Sequence, residues 1–251
     1  MTTATQKPAP WGTESVRLTL FPLVALQSTE TIAGMWRQMA GADPAETTSK
    51  PAVATHQVQG PFRDGMLIIG SQPGRVDVIY AAPPQPLSPE PATLGPYETV
   101  VSALLETVGF VLTDGPPLYR LALGCVFLTP TPDRAAGYRS LEPFLPCLKL
   151  EPENSSDLSY QINRPRQSLG PVDDLLINRI SKWSVQLTTA MFSLGGGTGP
   201  SLLPLQRYAA RLETDVNTGP REAELPRAAL PALVDELRRL TFELAQAGDL
   251  P

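Results

Sequence analysis

Residues 15–20 read Ser-Val-Arg-Leu-Thr-Leu, and residues 28–39 read Ser-Thr-Glu-Thr-Ile-Ala-Gly-Met-Trp-Arg-Gln-Met. In the first run Val16, Leu18 and Leu20 alternate with Arg17 and Thr19, the period of a strand with one buried face. In the second, Ile32, Met35, Trp36 and Met39 recur at helical spacing and form an apolar stripe. Ser28 is placed to cap that helix and Gly41 to end it. Pro22 lacks a backbone donor, so it marks an edge strand or a bulge.

Working outward, residues 1–14 read as a loose leader and residues 42–52 as a loop. Strands are predicted over Val53–Gln59, Gly65–Ser71 and Arg75–Ala82. The last two flank Gln72-Pro73-Gly74, which is hairpin chemistry. Six prolines between residues 83 and 96 make that stretch an extended connector. A helix follows from Tyr97 to Val108. The order then recurs. Strands are expected over Leu118–Leu128, Leu158–Arg164, Leu175–Leu194 and Gln206–Asn217, with a short helix at Asp133–Leu141. Ala228–Ala247 is the clearest helix, with Leu230, Leu233, Val234, Leu237, Leu240, Thr241 and Leu244 on one stripe. The expected fold is therefore α+β: two similar β-α-β-β-β-α halves, 15–112 and 113–251, whose antiparallel sheets are packed by amphipathic helices.

The whole chain of 251 residues is 42% apolar and 18% charged, with a net charge of −5. That composition supports a packed core and argues against disorder, a coiled coil or broad polyanion binding. Its 28 prolines imply much loop. The polar N-terminus, the lack of a long apolar run and only two cysteines, Cys125 and Cys147, point to a cytoplasmic protein with unpaired thiols and no membrane partner.

Several landmarks together resemble a sporadically distributed bacterial protein family of unknown function. They are the Leu18-Thr19-Leu20-Phe21-Pro22 strand, the Met66–Ser71 and Val76–Tyr80 meander, and the Tyr97-Glu98 helix start. Arg120-Leu121-Ala122-Leu123-Gly124 and Leu212-Glu213-Thr214-Asp215-Val216 followed by the last helix complete the set. The chain departs from the family at Val78-Ile79-Tyr80, where an aromatic and a basic residue are usual. The resemblance implies architecture and no catalytic residues. It also implies an accessory subunit, of the kind found in defence or mobile-element systems.

Residue chemistry gives little support to catalysis. His56, the single histidine, reads as a surface or edge-strand residue, and two distant cysteines make no metal or nucleophile constellation. Gly195-Gly196-Gly197-Thr198-Gly199 is similar to the phosphate loop of the tubulin and cell-division GTPase family. There the loop feeds a helix; here Pro200 and Pro204 follow, so the loop reads as a connection between strands. Two copies of Ile-Asn-Arg, at 162–164 and 177–179, suggest that Arg164, Arg166, Arg179, Lys182 and Trp183 gather on solvent-facing strands with Tyr160. Such a surface would suit single-stranded nucleic acid, with Asp157, Asp173 and Asp174 opposing it. The leading expectation is a non-catalytic binding or scaffold subunit with no cofactor, whose partner is another protein subunit or a second copy. The alternative is a nucleic-acid or nucleotide binder using the Asn-Arg strands or the Gly-rich loop. An enzyme built on Asp, Glu and Arg alone is a third reading.

Overall fold

The computed structural model describes residues 11–24, 28–85, 88, 90–194 and 201–249, with backbone only at 190–194 and 201–205. In chain order the elements are β1 (Gly12–Pro22), α1 (Thr29–Ala40), β2 (Glu46–Lys50), β3 (Thr55–Phe62), β4 (Gly65–Gln72), β5 (Arg75–Ala81) and α2 (Tyr97–Asp114). There follow β6 (Leu118–Thr131), α3 (Arg134–Leu141), β7 (Ser159–Asn163), β8 (Arg166–Gln167), β9 (Leu176–Leu194), β10 (Ser201–Thr218) and α4 (Leu230–Ala247). The fold is α+β, and every described strand pair is antiparallel.

The strands belong to one ten-stranded sheet, ordered β2-β3-β4-β5-β1-β6-β10-β9-β7, with β8 beside β9. The two sets of strands meet where β1 pairs with β6, through Val16 opposite Cys125 and Leu18 opposite Leu123. Expected as separate sheets, they are continuous. The helices cover one face. Val16, Leu18, Leu20, Val58, Leu67, Ile69, Val78, Leu123, Phe127, Trp183 and Leu212 are buried beneath them in a single apolar cluster. The other face carries Arg17, Asp77, Arg120, Arg211, Glu213 and Asp215, and no described helix covers it.

Local chemistry explains the element ends. The Ser28 side chain accepts a hydrogen bond from the Thr31 amide, and Gly41 closes α1 at φ 71°. Asp133 caps α3 in the same way through the Ala136 amide. Gly74, at φ 72°, supplies the left-handed residue of the β4–β5 turn. Burial of α4 falls on all seven stripe residues. Truncating Leu237, which is fully buried, should cost about 2–4 kcal/mol. Arg238→Ala loses only part-exposed ion pairs and should cost under ~1 kcal/mol. Chemical denaturation of both variants checks this, and equal losses would mean the helix docks by another face.

Several expectations need correction. Residues 46–50 form the edge strand β2 rather than loop. Its Glu-Thr-Thr-Ser-Lys sequence is exposed throughout, so no alternation betrays it. Of the two readings of Pro22, edge or bulge, the second holds: Pro22 ends a central strand at a register shift against β6. Helix α2 runs on to Asp114, and β10 begins at Ser201 rather than Gln206. Trp11 is buried and Gly12 opens β1, so ordered structure starts before residue 15. The proline-rich connector is tied to β1 by Ala82 N–H to Glu14 O (2.8 Å), Leu94 N–H to Thr13 O (2.8 Å) and Thr13 N–H to Gly95 O (2.9 Å).

Candidate functional site: an arginine cluster at the sheet edge

The two Ile-Asn-Arg copies lie on neighbouring strands. β7 pairs with β9, Asn163 opposite Ile180, and the ladder continues with Arg164 N–H donating to Arg179 O at 3.0 Å. Asn163 Oδ1 accepts from the Arg179 amide (3.0 Å) while its Nδ2 donates to Asn178 Oδ1 (2.9 Å). Short β8 brings Arg166 opposite Ile177. Three arginines thus converge under the end of α4.

Their partners come from the C-terminal segment. Gly248 adopts φ 80°, and its α-carbon packs so tightly on the Phe144 backbone that a side chain would not fit. The turn lets Asp249 N–H donate to Phe144 O (2.8 Å) and sends the Asp249 carboxylate inward. There it accepts hydrogen bonds from Arg164 Nε, from Arg164 Nη2 at 2.9 Å and from Tyr160 Oη at 2.6 Å, with Cys147 Sγ at 3.5 Å. Glu243, one turn before the end of α4, accepts from Arg166 (2.8 Å) and from Arg179 Nη2 (3.0 Å).

Electrostatics follow from this geometry. The Arg164 guanidinium, helped by Tyr160 and Cys147, holds the Asp249 carboxyl below the usual carboxylate range against the effect of burial. A depressed folded value means that the carboxylate stabilises the fold above its unfolded value, and that this contribution is lost as pH falls through the folded one. We therefore expect Asp249→Asn to melt below the wild type near neutrality, with the two melting curves converging in acid. A gap that persists at low pH would assign the loss to packing instead.

The five residues singled out from sequence do not form one surface. Arg164 and Arg166 are partly exposed, at 28% and 38% of the side chain, whereas Arg179 is 1% exposed. The expectation that both Asn-Arg arginines face solvent fails at Arg179, because odd-numbered positions of β9 point under the helices. Trp183 follows the same parity. It is fully buried, stacked on Phe144 at 5.7 Å and tilted against Trp11 at 6.1 Å. Lys182 points to the opposite, open face, where it meets Glu213 at 3.3 Å. The opposing carboxylates are Asp249 and Glu243, not the Asp157, Asp173 and Asp174 expected from sequence proximity. An acid directly after a helix-ending glycine is the signal that would have found Asp249.

Elsewhere, His56 is 7% exposed, inside the edge rather than on it, with Nδ1 bonded to Thr29 Oγ1 (2.8 Å) and Ser49 Oγ (3.0 Å). Cys125 is buried, which pushes its thiol up and keeps it protonated; Cys147 is exposed, and neither is in a disulfide. Residues 195–199 lie outside the described residues, and the strands on either side of them pair, Leu194 opposite Ser201. Among the described residues no cluster of three or more His, Cys, Asp or Glu side chains could hold a metal, and no helix is long and apolar enough to cross a membrane.

The open face carries a polar network that sequence reading misses. Asp77 meets Thr19 (2.6 Å), Arg75 (2.8 Å) and Arg17 (3.8 Å), and Arg17 reaches Asp215 at 3.5 Å. Asn217 links Asp215 to Arg120, at 2.7 and 2.8 Å. The network runs over four strands, β5, β1, β6 and β10, and its cross-strand links are invisible without the strand order. No family model, curated protein or solved structure matches the chain.

Proposed function

We propose that this chain is a non-catalytic binding or scaffold subunit of a prokaryotic protein assembly, and that it docks through the far end of β9 and β10. One observation supports this reading. Pairing of β7 with β9 stops at Ser184, and pairing of β6 with β10 stops at Tyr208, yet β9 and β10 stay paired with each other as far as Leu194 and Ser201. Beyond those limits the two strands form a ribbon, roughly 25 Å long, with neither outer edge paired among the described residues. Its sequence, Leu-Thr-Thr-Ala-Met-Phe-Ser-Leu at 187–194 and Ser-Leu-Leu-Pro-Leu-Gln-Arg at 201–207, contains one charged residue, Arg207, which bonds Glu90 of the connector at 3.3 Å. Edges that must stay unpaired are usually guarded by charge, as Glu46 and Lys50 guard β2. A lone apolar two-stranded ribbon is marginal in water, and Leu187 at its base is 47% exposed.

The partner in this reading is another protein subunit, a second copy of this chain included, in a cytoplasmic setting. The same reading treats 15–112 and 113–251 as duplicated units, supported by the matching strand order on either side of β1 and β6. The experiment is a tagged pull-down from the native host with the wild type and with a trimmed variant. In that variant Asn-Gly replaces residues 188–207, so that the Leu187–Tyr208 pair closes through a two-residue turn. Trimming should leave the melting temperature nearly unchanged and abolish the stoichiometric complex. A trimmed chain that still captures the same partner would overturn the reading.

A further inference from the structure

Among the described residues the arginine cluster is short of one negative charge. Arg164, Arg166 and Arg179 face two carboxylates, Asp249 and Glu243. Arg239, near Glu243 and Glu236 at 3.9 Å each, is balanced by Glu236. The deficit sits on the deepest member. Arg179 gives Nη2 to Glu243, but Nε and Nη1 are buried without a hydrogen-bond partner among the described residues. Those two nitrogens carry three of the five guanidinium N–H groups. Burial and the neighbouring Arg166 both lower the Arg179 pKa, the direction expected of a buried cation that shares its one carboxylate with a second arginine. An unpaired buried donor is costly, and in native proteins it is met by water or an ion.

We propose that the Arg164–Arg166–Arg179 cluster is a binding site for a phosphate-class oxyanion. Arg179 forms its floor, and the part-exposed side chains of Arg164 and Arg166 form its mouth. Guanidiniums converging from β8, β9 and the residue that follows β7 suit a ligand that accepts from several directions, as tetrahedral oxyanions do. The site needs no metal and performs no chemistry. Its occupancy would lock the end of α4 to the sheet edge, because the same arginines hold Glu243 and Asp249.

The test is a thermal melt of the full chain in inorganic phosphate and in chloride at equal ionic strength and pH. The proteins are the wild type, Arg166→Gln, Arg179→Gln and, as a control, Arg37→Gln, whose side chain is 47% exposed on α1. With phosphate about tenfold above its Kd, the wild type and the control should gain roughly 3–6 °C over chloride. Arg166→Gln, which removes only a part-exposed side chain, should lose most of that gain even if Arg179→Gln fails to fold. A parallel arm replaces phosphate with oligothymidylate at matched phosphate concentration. A gain with free phosphate alone supports a small-ligand site, and an Arg166-dependent gain with both supports the same site reading a nucleic-acid backbone. No gain in the wild type would mean that water satisfies Arg179, and an equal gain in all four proteins would be a general salt effect; either overturns the proposal.

Discussion

Trp183→Ala should destabilise the protein by about 3–5 kcal/mol, more than the truncation of Leu237 on α4. Trp183 is fully buried on the helix side of β9, packed against Phe144 and Trp11, with its Nε1 donating to Ser181 Oγ at 3.0 Å. Trp11 in turn ties β1 to the last helix through Nε1 to Ala245 O at 2.9 Å. Removing the indole therefore opens a cavity where the sheet, α4 and the Glu142–Phe144 turn meet. The neighbouring Lys182→Ala, which loses only a part-exposed pair with Glu213, should cost well under ~1 kcal/mol. Urea denaturation midpoints decide this. Comparable losses at 182 and 183 would mean that β9 is out of register by one residue, since such a slip exchanges the faces of the strand.

The second large effect concerns charge. Glu243→Ala should cost about 2–3 kcal/mol, because it leaves buried Arg179 without its carboxylate. The figure lies below the range for a fully buried broken pair, since Glu243 is itself 31% exposed. Replacing both partners, Arg179→Met with Glu243→Leu, should recover most of the loss, because two apolar groups need no solvation. A double-mutant cycle measures the coupling. If the double variant is as unstable as Glu243→Ala alone, the cluster holds the helix by packing and not by charge.

These residues show how far the sequence can be read. α1, α3 and α4 announce themselves through caps and apolar stripes, because their stabilising contacts lie within a few residues of one another. β1, β4 and β5 are equally plain, since one face is buried and the period is strict. β2 is unreadable: an exposed edge strand has no apolar face, and only its pairing with β3 makes it a strand. The Ile-Asn-Arg copies correctly place two arginine-bearing strands side by side. Their orientation is misleading because Arg179 and Trp183, one polar and one amphipathic, share a parity that only the neighbouring Ile177 and Ser181 disclose as buried. Asp249 and Glu243 escape a local reading because they approach from 64 to 85 residues away. The paired charges on the open face depend on a strand order in which residue 17 lies beside residues 79 and 124, and no local pattern carries that information.

The ribbon is where structure and proposed function meet most directly, and hydrogen–deuterium exchange reads it residue by residue. In the isolated chain, amides of 187–194 and 201–207 should exchange far faster than those of β1, β6 and α4, because an isolated two-stranded ribbon opens locally at little cost. In the complex recovered from the native host, the same amides should become strongly protected while the core changes little. Docking through the ribbon requires that pattern. Ribbon amides that remain as fast in the complex as in the free chain, with new protection appearing elsewhere, would contradict it.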